Sequence, residues 1–338
     1  MIITRTPFRI PLGGGGTDLP SYYSKHGGFI FSTTIDKYMY IFIHRPIVDD
    51  LIRVIYSRYE RVERPSEVQH DIVRAALQYT GIENAIQIAS IADIPAGTGL
   101  GSSSAYAVGL LHGLHVLKEE SVSLKTLAEE ACHIEIDILN KPIGKQDQYV
   151  AALGGFVVLE IDPDGTVQAR RATIPDHVLD QLNANTLFFY TGKSRSAEEI
   201  LKDQSAAARR NEGAVVEGLH RIMDIGREIC QAIEEGNLAR FGQLLHEHWS
   251  VKKRLSPKVS DPRIDRLYGI ARECGALGGK IMGAGGGGFF LFYMEEGHHR
   301  LREAMKKENL REMRYSFDFE GTKLLSNFFS GSNRQWPG

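Results

Sequence analysis

Pro95-Ala96-Gly97-Thr98-Gly99-Leu100-Gly101-Ser102-Ser103-Ser104 is the stretch that decides how the chain is read. It follows Ile86-Gln87-Ile88-Ala89-Ser90-Ile91, whose β-branched residues predict a strand. It leads into Ala107, Leu110, Leu111, Leu114 and Leu117, which recur at helical spacing. A glycine-rich turn that opens a helix presents unpaired backbone N–H groups and the positive end of the helix dipole, and both suit a phosphate. Serine hydroxyls at the helix start can also reach a phosphate-bound Mg2+. Alone, the same residues read equally well as a serine cap after a loop.

Glycine clusters twice more, at Gly13-Gly14-Gly15-Gly16-Thr17-Asp18 and from Gly278 to Gly288. Each ordered glycine costs roughly 0.5–1 kcal/mol of extra entropy, so three dense clusters need a purpose. Gly279-Lys280 lacks the glycine and the Ser/Thr that a Walker A loop requires. Gly283 to Gly288 fits G-x-G-x-x-G but runs into the strand-like Phe289-Phe290-Leu291-Phe292-Tyr293, so the dinucleotide reading loses its helix. Two carboxylates stand near in sequence. Glu135 flanks the apolar helix face Leu127, Ala131, Ile134, Ile138, and Asp147 lies in Gly144-Lys145-Gln146-Asp147 after Pro142. Phosphoryl transfer uses one carboxylate on the metal and one at the attacking hydroxyl.

Composition narrows the classes. Lys+Arg 40 against Asp+Glu 42 gives a net charge of −2, with no basic field for nucleic acid or an anionic membrane. No apolar run approaches a spanning helix, and Met1 to Arg5 opens straight into structure without a signal peptide, so a cytoplasmic protein is expected. Cys132, Cys230 and Cys274 make neither a disulfide framework nor a zinc set. The 338 residues predict two domains, 1–175 and 176–330, divided after the turn Asp162-Pro163-Asp164-Gly165 where the pattern becomes more helical. Strands are expected at 39–44, 52–56, 155–161, 187–190, 288–293 and 315–319. Helices are expected at 66–80, 195–209, 212–235, 238–254, 262–274 and 298–308, with a frayed tail over 330–338. His246-Glu247-His248 lacks the H-E-x-x-H spacing of a zinc site, and His112 and His115 are assigned to packing.

The three glycine stretches, in this order and spacing over about residues 1–325, resemble the motifs of the GHMP kinases. The second is similar to the family's P-x-x-x-G-L-G-S-S-A loop, with Ser104 where alanine is usual, and the third to its G-A-G-G-G-G segment. The resemblance implies an α+β fold of two units, a ribosomal protein S5 domain 2-like N-terminal half and a ferredoxin-like C-terminal half, with the active site between them. It implies that Gly97, Thr98, Gly99, Leu100, Gly101, Ser102, Ser103 and Ser104 wrap the phosphates of ATP. Ser103 and Glu135 would hold Mg2+, Asp147 would be the catalytic carboxylate, and Arg9 would sit beside it.

The resemblance also places a sugar at the first stretch. Asp18 would accept hydrogen bonds from sugar hydroxyls, with Thr17, Gly15, Gly16, Gly144 and Gly285 around it. Galactokinases carry Gly-Glu-His-Thr-Asp there. Gly15 and Gly16 lack the two gripping side chains, which disfavours galactose and leaves room for a longer sugar. Within the family the pattern G-G-G-T-D-L-P-S-Y is similar to that of bacterial D-glycero-D-manno-heptose 7-phosphate kinases, with fucose kinases as neighbours. The expected reaction is phosphorylation of the anomeric hydroxyl to a 1,7-bisphosphate, for nucleotide-activated heptose in lipopolysaccharide, capsule or S-layer glycans. Lys193 and Arg195 are the expected cations for the sugar's own phosphate, with Lys280 and Lys25 behind them. The rivals are another sugar-1-kinase, on fucose or a hexose derivative, and a non-catalytic sugar sensor. The sensor should have lost Asp147, Glu135 or the serine loop, and all are present. Expected partners are a sugar phosphate and ATP, with no nucleic acid and no membrane; a homo-oligomer is left open.

Overall fold

The computed structural model describes residues 1–193, 200, 202, 206 and 213–329. The expected helix over 195–209 falls mostly outside these residues, and so does the tail 330–338.

A long hairpin organises the first half. Strand β1 (Ile2–Gly13) pairs antiparallel with β2 (Gly28–His44), and a short helix α1 (Pro20–His26) fills the connection. The register slips beside Pro7 and again after Pro11. Proline has no N–H for the ladder, so the bulges fall where β1 cannot bond normally. Arg9 lies on the segment between them. The far edge of β2 is shared by β5 (Ile86–Ala92), which takes Met39 to His44, and β6 (Phe156–Ile161), which takes Gly28 to Thr33. Strands β3 (Ile52–Ile55), β4 (Tyr59–Val62) and β7 (Val167–Arg171) extend this sheet, with β3 parallel to β5.

Helices α2 (Asp71–Thr80), α3 (Ser102–Leu117), α4 (Leu124–Cys132) and α5 (Gln146–Leu153) belong to this half. The helix expected from Ser66 begins only at Asp71. Pro65–Glu67 forms a separate 3-10 turn, and the His70 side chain caps the new start by accepting from Val73 N. Helix α3 packs unusually close to the hairpin. A Cβ on Gly109 would stand 2.7 Å from Thr6 Oγ1, and one on Gly113 2.6 Å from Ile43 Cδ1.

In the second half β8 (Thr186–Tyr190), β9 (Gly278–Ile281), β10 (Phe289–Tyr293) and β11 (Arg311–Glu312) form an antiparallel sheet in the order β11-β8-β10-β9. It is accompanied by α6 (Asp176–Asn185), α7 (Gly213–Glu234), α8 (Leu238–Leu255), α9 (Pro262–Glu273) and α10 (His298–Lys307). Trp249, Tyr268, Phe290, Phe292, Leu301 and Met305 build its core. Part of the third glycine stretch is therefore strand, with Lys280 opposite Leu291.

The chain does not end in this second unit. Strands β12 (Phe317–Asp318) and β13 (Lys323–Asn327) pair with β2 and β1. The strand expected near 315–319 exists, but it belongs to the first sheet, so 176–330 is not one contiguous unit. The remaining strand partners of β1 and β2 simply come from the far end of the sequence. Cys132, Cys230 and Cys274 are buried and free. Among the described residues no helix is long and apolar enough to cross a membrane.

Candidate active site

The three glycine stretches meet around one cavity of about 310 Å³. Gly15, Gly16 and Asp18 come from the first, Gly97, Gly99, Gly101, Ser102 and Ser103 from the second, and Gly283 and Ala284 from the third. Contact between the last two explains their glycines. Gly99, at φ +85°, leaves no room for a side chain, because a Cβ there would lie 2.6 Å from Met282 O. Gly101 takes the left-handed cap of α3, and no side chain caps that helix. Its first N–H groups thus have no side-chain cap beside the cavity, a geometry that suits an anion.

The structure brings Arg9 and Asp147 together. Arg9 Nε and Nη2 donate to Asp147 Oδ1 and Oδ2 at 2.7 and 2.8 Å, and Nη1 donates to Gly99 O at 2.6 Å. A bidentate guanidinium fixes the carboxylate plane. Asp147 sits in the first turn of α5.

Asp18 is buried beside this pair. Gln146 N donates to its Oδ2 at 3.1 Å, Gln146 Nε2 reaches both oxygens at 3.2 Å, and Gly16 N donates to Oδ1. Burial raises the Asp18 carboxyl above its ordinary range, and the backbone donation from Gln146 opposes that shift. Gln146 was not singled out from the sequence, where it reads as one polar residue among several. Gly144 closes the same wall.

Glu135 is completely buried. It lies in a π-helical turn, His133–Ile138, that continues α4. The wider turn breaks the expected helical face and swings Glu135 inward, a distortion often found at functional sites. Ser104 Oγ and Gln148 Nε2 donate to its Oε2 at 2.6 and 2.8 Å. Burial raises its proton affinity, with the Ser104 hydrogen bond opposing. Its Oε1 is buried with no hydrogen-bond partner, and Lys141 Nζ stands 3.8 Å away. Ser103 lines the cavity and interacts with the same carboxyl. An orphaned carboxylate oxygen and a nearby hydroxyl are a donor set that fits Mg2+, which takes one or two protein oxygens and completes its shell from phosphate and water. Among the described residues no larger His/Cys/Asp/Glu cluster competes as a metal site.

Several expected contacts lie elsewhere. Thr17 is buried, and its hydroxyl bonds Gly14 O and Phe29 O, so it fastens the turn without facing the cavity. Thr98 Oγ1 donates to Pro95 O, Leu100 is in the hydrophobic core, and Ser104 faces Glu135. Their side chains are spent on holding the loop. Gly285 rests on Val259 and does not line the cavity. Lys193 is also outside it, with Nζ 3.5 Å from Asp261 Oδ2, and Arg195 lies outside the described residues. Lys25 is exposed on the last turn of α1. His115 is held between Glu120 and Glu130 at 2.7 Å from each, and His112 contacts Thr322, so both serve packing. Sequence reasoning missed Lys252 and His248, which line the cavity from α8; Lys280 joins them from β9.

Comparison with known proteins bears on the family and the fold. Residues 68–155 match the family model described as GHMP kinases N terminal domain, and residues 229–311 match GHMP kinases C terminal; together they span just over half of the chain. The D-glycero-alpha-D-manno-heptose 7-phosphate kinase of Campylobacter jejuni is 29% identical over 334 residues, covering 95% of this chain and 98% of that protein. The L-fucokinase/L-fucose-1-P guanylyltransferase of Bacteroides fragilis is 24% identical, covering 88% of this chain and 35% of that longer protein. The crystal structure of a D-glycero-D-manno-heptose 1-phosphate kinase from Bacteroides thetaiotaomicron superposes with a TM-score of 0.80 at 23% identity, over 97% of this chain and 100% of that one.

Proposed function

The chain belongs to the GHMP kinases, ATP-using phosphotransferases, and from that premise we propose that its acceptor is D-glycero-D-manno-heptose 7-phosphate, phosphorylated on the anomeric hydroxyl to the 1,7-bisphosphate. The observation that carries the sugar reading is at Gly15, where a side chain would meet nothing within 4 Å. That open space beside Asp18 accommodates a sugar longer than a hexose, and the Campylobacter relative acts on such a substrate by name.

In this reading Asp18 accepts from sugar hydroxyls and turns the anomeric oxygen toward Asp147. Asp147 takes the hydroxyl proton as that oxygen bonds to phosphorus, and ADP departs. Arg9 keeps the carboxylate oriented and its guanidinium lies close to the charge that develops. The amide groups at the start of α3 hold the phosphates, and the cavity mostly positions and neutralises. Ser103 and Glu135 would hold Mg2+, which supplies charge neutralisation on the phosphate oxygens when bound.

A coupled ADP-release assay tests the reading with D-glycero-D-manno-heptose 7-phosphate, the unphosphorylated heptose, fucose and galactose. Turnover restricted to the 7-phosphate is expected. Turnover on fucose alone would favour the second reading, a neutral-sugar 1-kinase, which the match to L-fucokinase supports.

A further inference from the structure

One wall of the cavity carries basic side chains that the reaction as described does not use. His248 and Lys252 stand one turn apart on α8, Lys280 projects from β9, and all three line the cavity. Lys252 Nζ donates to Gly283 O, and Lys280 Nζ to Leu12 O at 3.1 Å. Among the described residues neither ammonium has a carboxylate partner. His248 is buried with both ring nitrogens unpartnered. The cavity's carboxylates are engaged elsewhere, Asp147 by Arg9 and Asp18 by Gln146. Burial pushes Lys252 down to about 7 and lowers His248 and Lys280 well below their ordinary values, and the neighbouring cations push each the same way. Lys280 is buried and Lys252 part-buried, and ammonium groups withdrawn from water and held only by carbonyls are unfavourable until an anion joins them.

We propose that Lys252, Lys280 and His248 form a seat for a phosphate monoester, and that the phosphate seated there is the one the sugar brings with it. This rests on the sugar-phosphate reading above and replaces Lys193 as its cation. Two placements favour the sugar over the nucleotide. Lys280 is tied to Leu12, the residue before the glycine turn that carries Asp18, so the seat borders the sugar side. The nucleotide has its own cradle at the open start of α3.

Titration calorimetry with inorganic phosphate, on the full chain with and without a saturating non-hydrolysable ATP analogue, tests the seat. Phosphate binding in both conditions is expected, weakened at least ~10-fold in Lys280→Met and kept within about three-fold of wild type in Lys280→Arg. Displacement of phosphate by the analogue, or unchanged binding in a folded Lys280→Met, overturns the proposal. In steady-state assays Lys280→Met and Lys252→Met should each raise KM for heptose 7-phosphate by about 30-fold, with KM for ATP within about two-fold of wild type. A rise in KM for ATP instead gives these cations to the transferred phosphate and also overturns it. Wild-type turnover confined to unphosphorylated sugars overturns the sugar-phosphate reading and the assignment of the seat to the sugar. Loss of the calorimetric result alone overturns the seat and leaves that reading standing.

Discussion

Gly144 and Asp18 are so close that a Cβ added to Gly144 would lie 2.0 Å from Asp18 Oδ2 and 2.8 Å from the Asp18 carbonyl oxygen. The carboxylate owes its position to the missing side chain. Gly144→Ala should therefore raise KM for the sugar at least ~10-fold, because a displacement of about an ångström misaligns the acceptor. Nucleotide affinity, read by fluorescent-ADP displacement, should stay within about two-fold of wild type. An unchanged sugar KM would show that Asp18 does not grip the acceptor.

The bidentate Arg9–Asp147 pair predicts a split between binding and chemistry. Asp147→Asn keeps the shape and removes the proton acceptor, so kcat should fall by at least ~10² with nucleotide binding nearly intact. Arg9→Lys, a cation without the planar fork, should also lose turnover. Wild-type-like turnover in Asp147→Asn would remove that residue from the mechanism.

The orphaned Oε1 of Glu135 predicts a metal requirement that the side chain itself sets. EDTA should abolish turnover, and excess Mg2+ should restore it. Glu135→Gln should raise the Mg2+ concentration needed for half-maximal rate at least ~10-fold. A Mg2+ titration identical to wild type would take Glu135 out of the metal site.

Lys252 gives the stability a pH dependence with a definite sign. Its folded-state value is pushed down to about 7, against about 10.4 in an unfolded chain. Between these values the unfolded chain binds the extra proton, so this group's contribution makes the fold more stable as pH rises from 7. The groups that bear on it are Arg9, Lys280 and His248, all cationic when protonated. In Lys252→Met that increment is absent. The melting temperature of the variant relative to wild type should therefore be highest near pH 7 and fall by pH 9. A difference independent of pH would contradict the lowered value.

The parts of the site visible in sequence were those with local signatures. The Gly97–Ser104 turn announced itself because glycine and serine at a strand-to-helix junction have few other uses, and α3 showed its periodicity openly. The first half of β2 was hidden because Ser32, Thr33, Thr34, Asp36 and Lys37 break the apolar pattern; Ser32, Thr33 and Thr34 are nevertheless buried between neighbouring strands. His248 and Lys252 looked like the polar face of an amphipathic helix, and only the tertiary fold turns that face into a cavity. Lys280 carried a usable signal, a charged residue inside a run of glycine and apolar residues, where an exposed loop lysine would have more polar neighbours. Glu135 is visible in the sequence as a carboxylate flanking an apolar helix face, but its inward turn depends on a π-helical widening that no periodicity foretells.

The pairing of β13 with β1, which sets Ile2 opposite Asn327, has a consequence for biosynthesis. The outer edge of β1 has no partner until β13 has been translated. At about 5–20 residues per second that interval lasts tens of seconds. Throughout it, β1 presents an uncovered ladder that can recruit a strand from another chain. A nonsense codon between Ala284 and the last strand would leave that edge bare for good, so such truncations should be lost to aggregation even though every residue lining the cavity precedes them in the sequence.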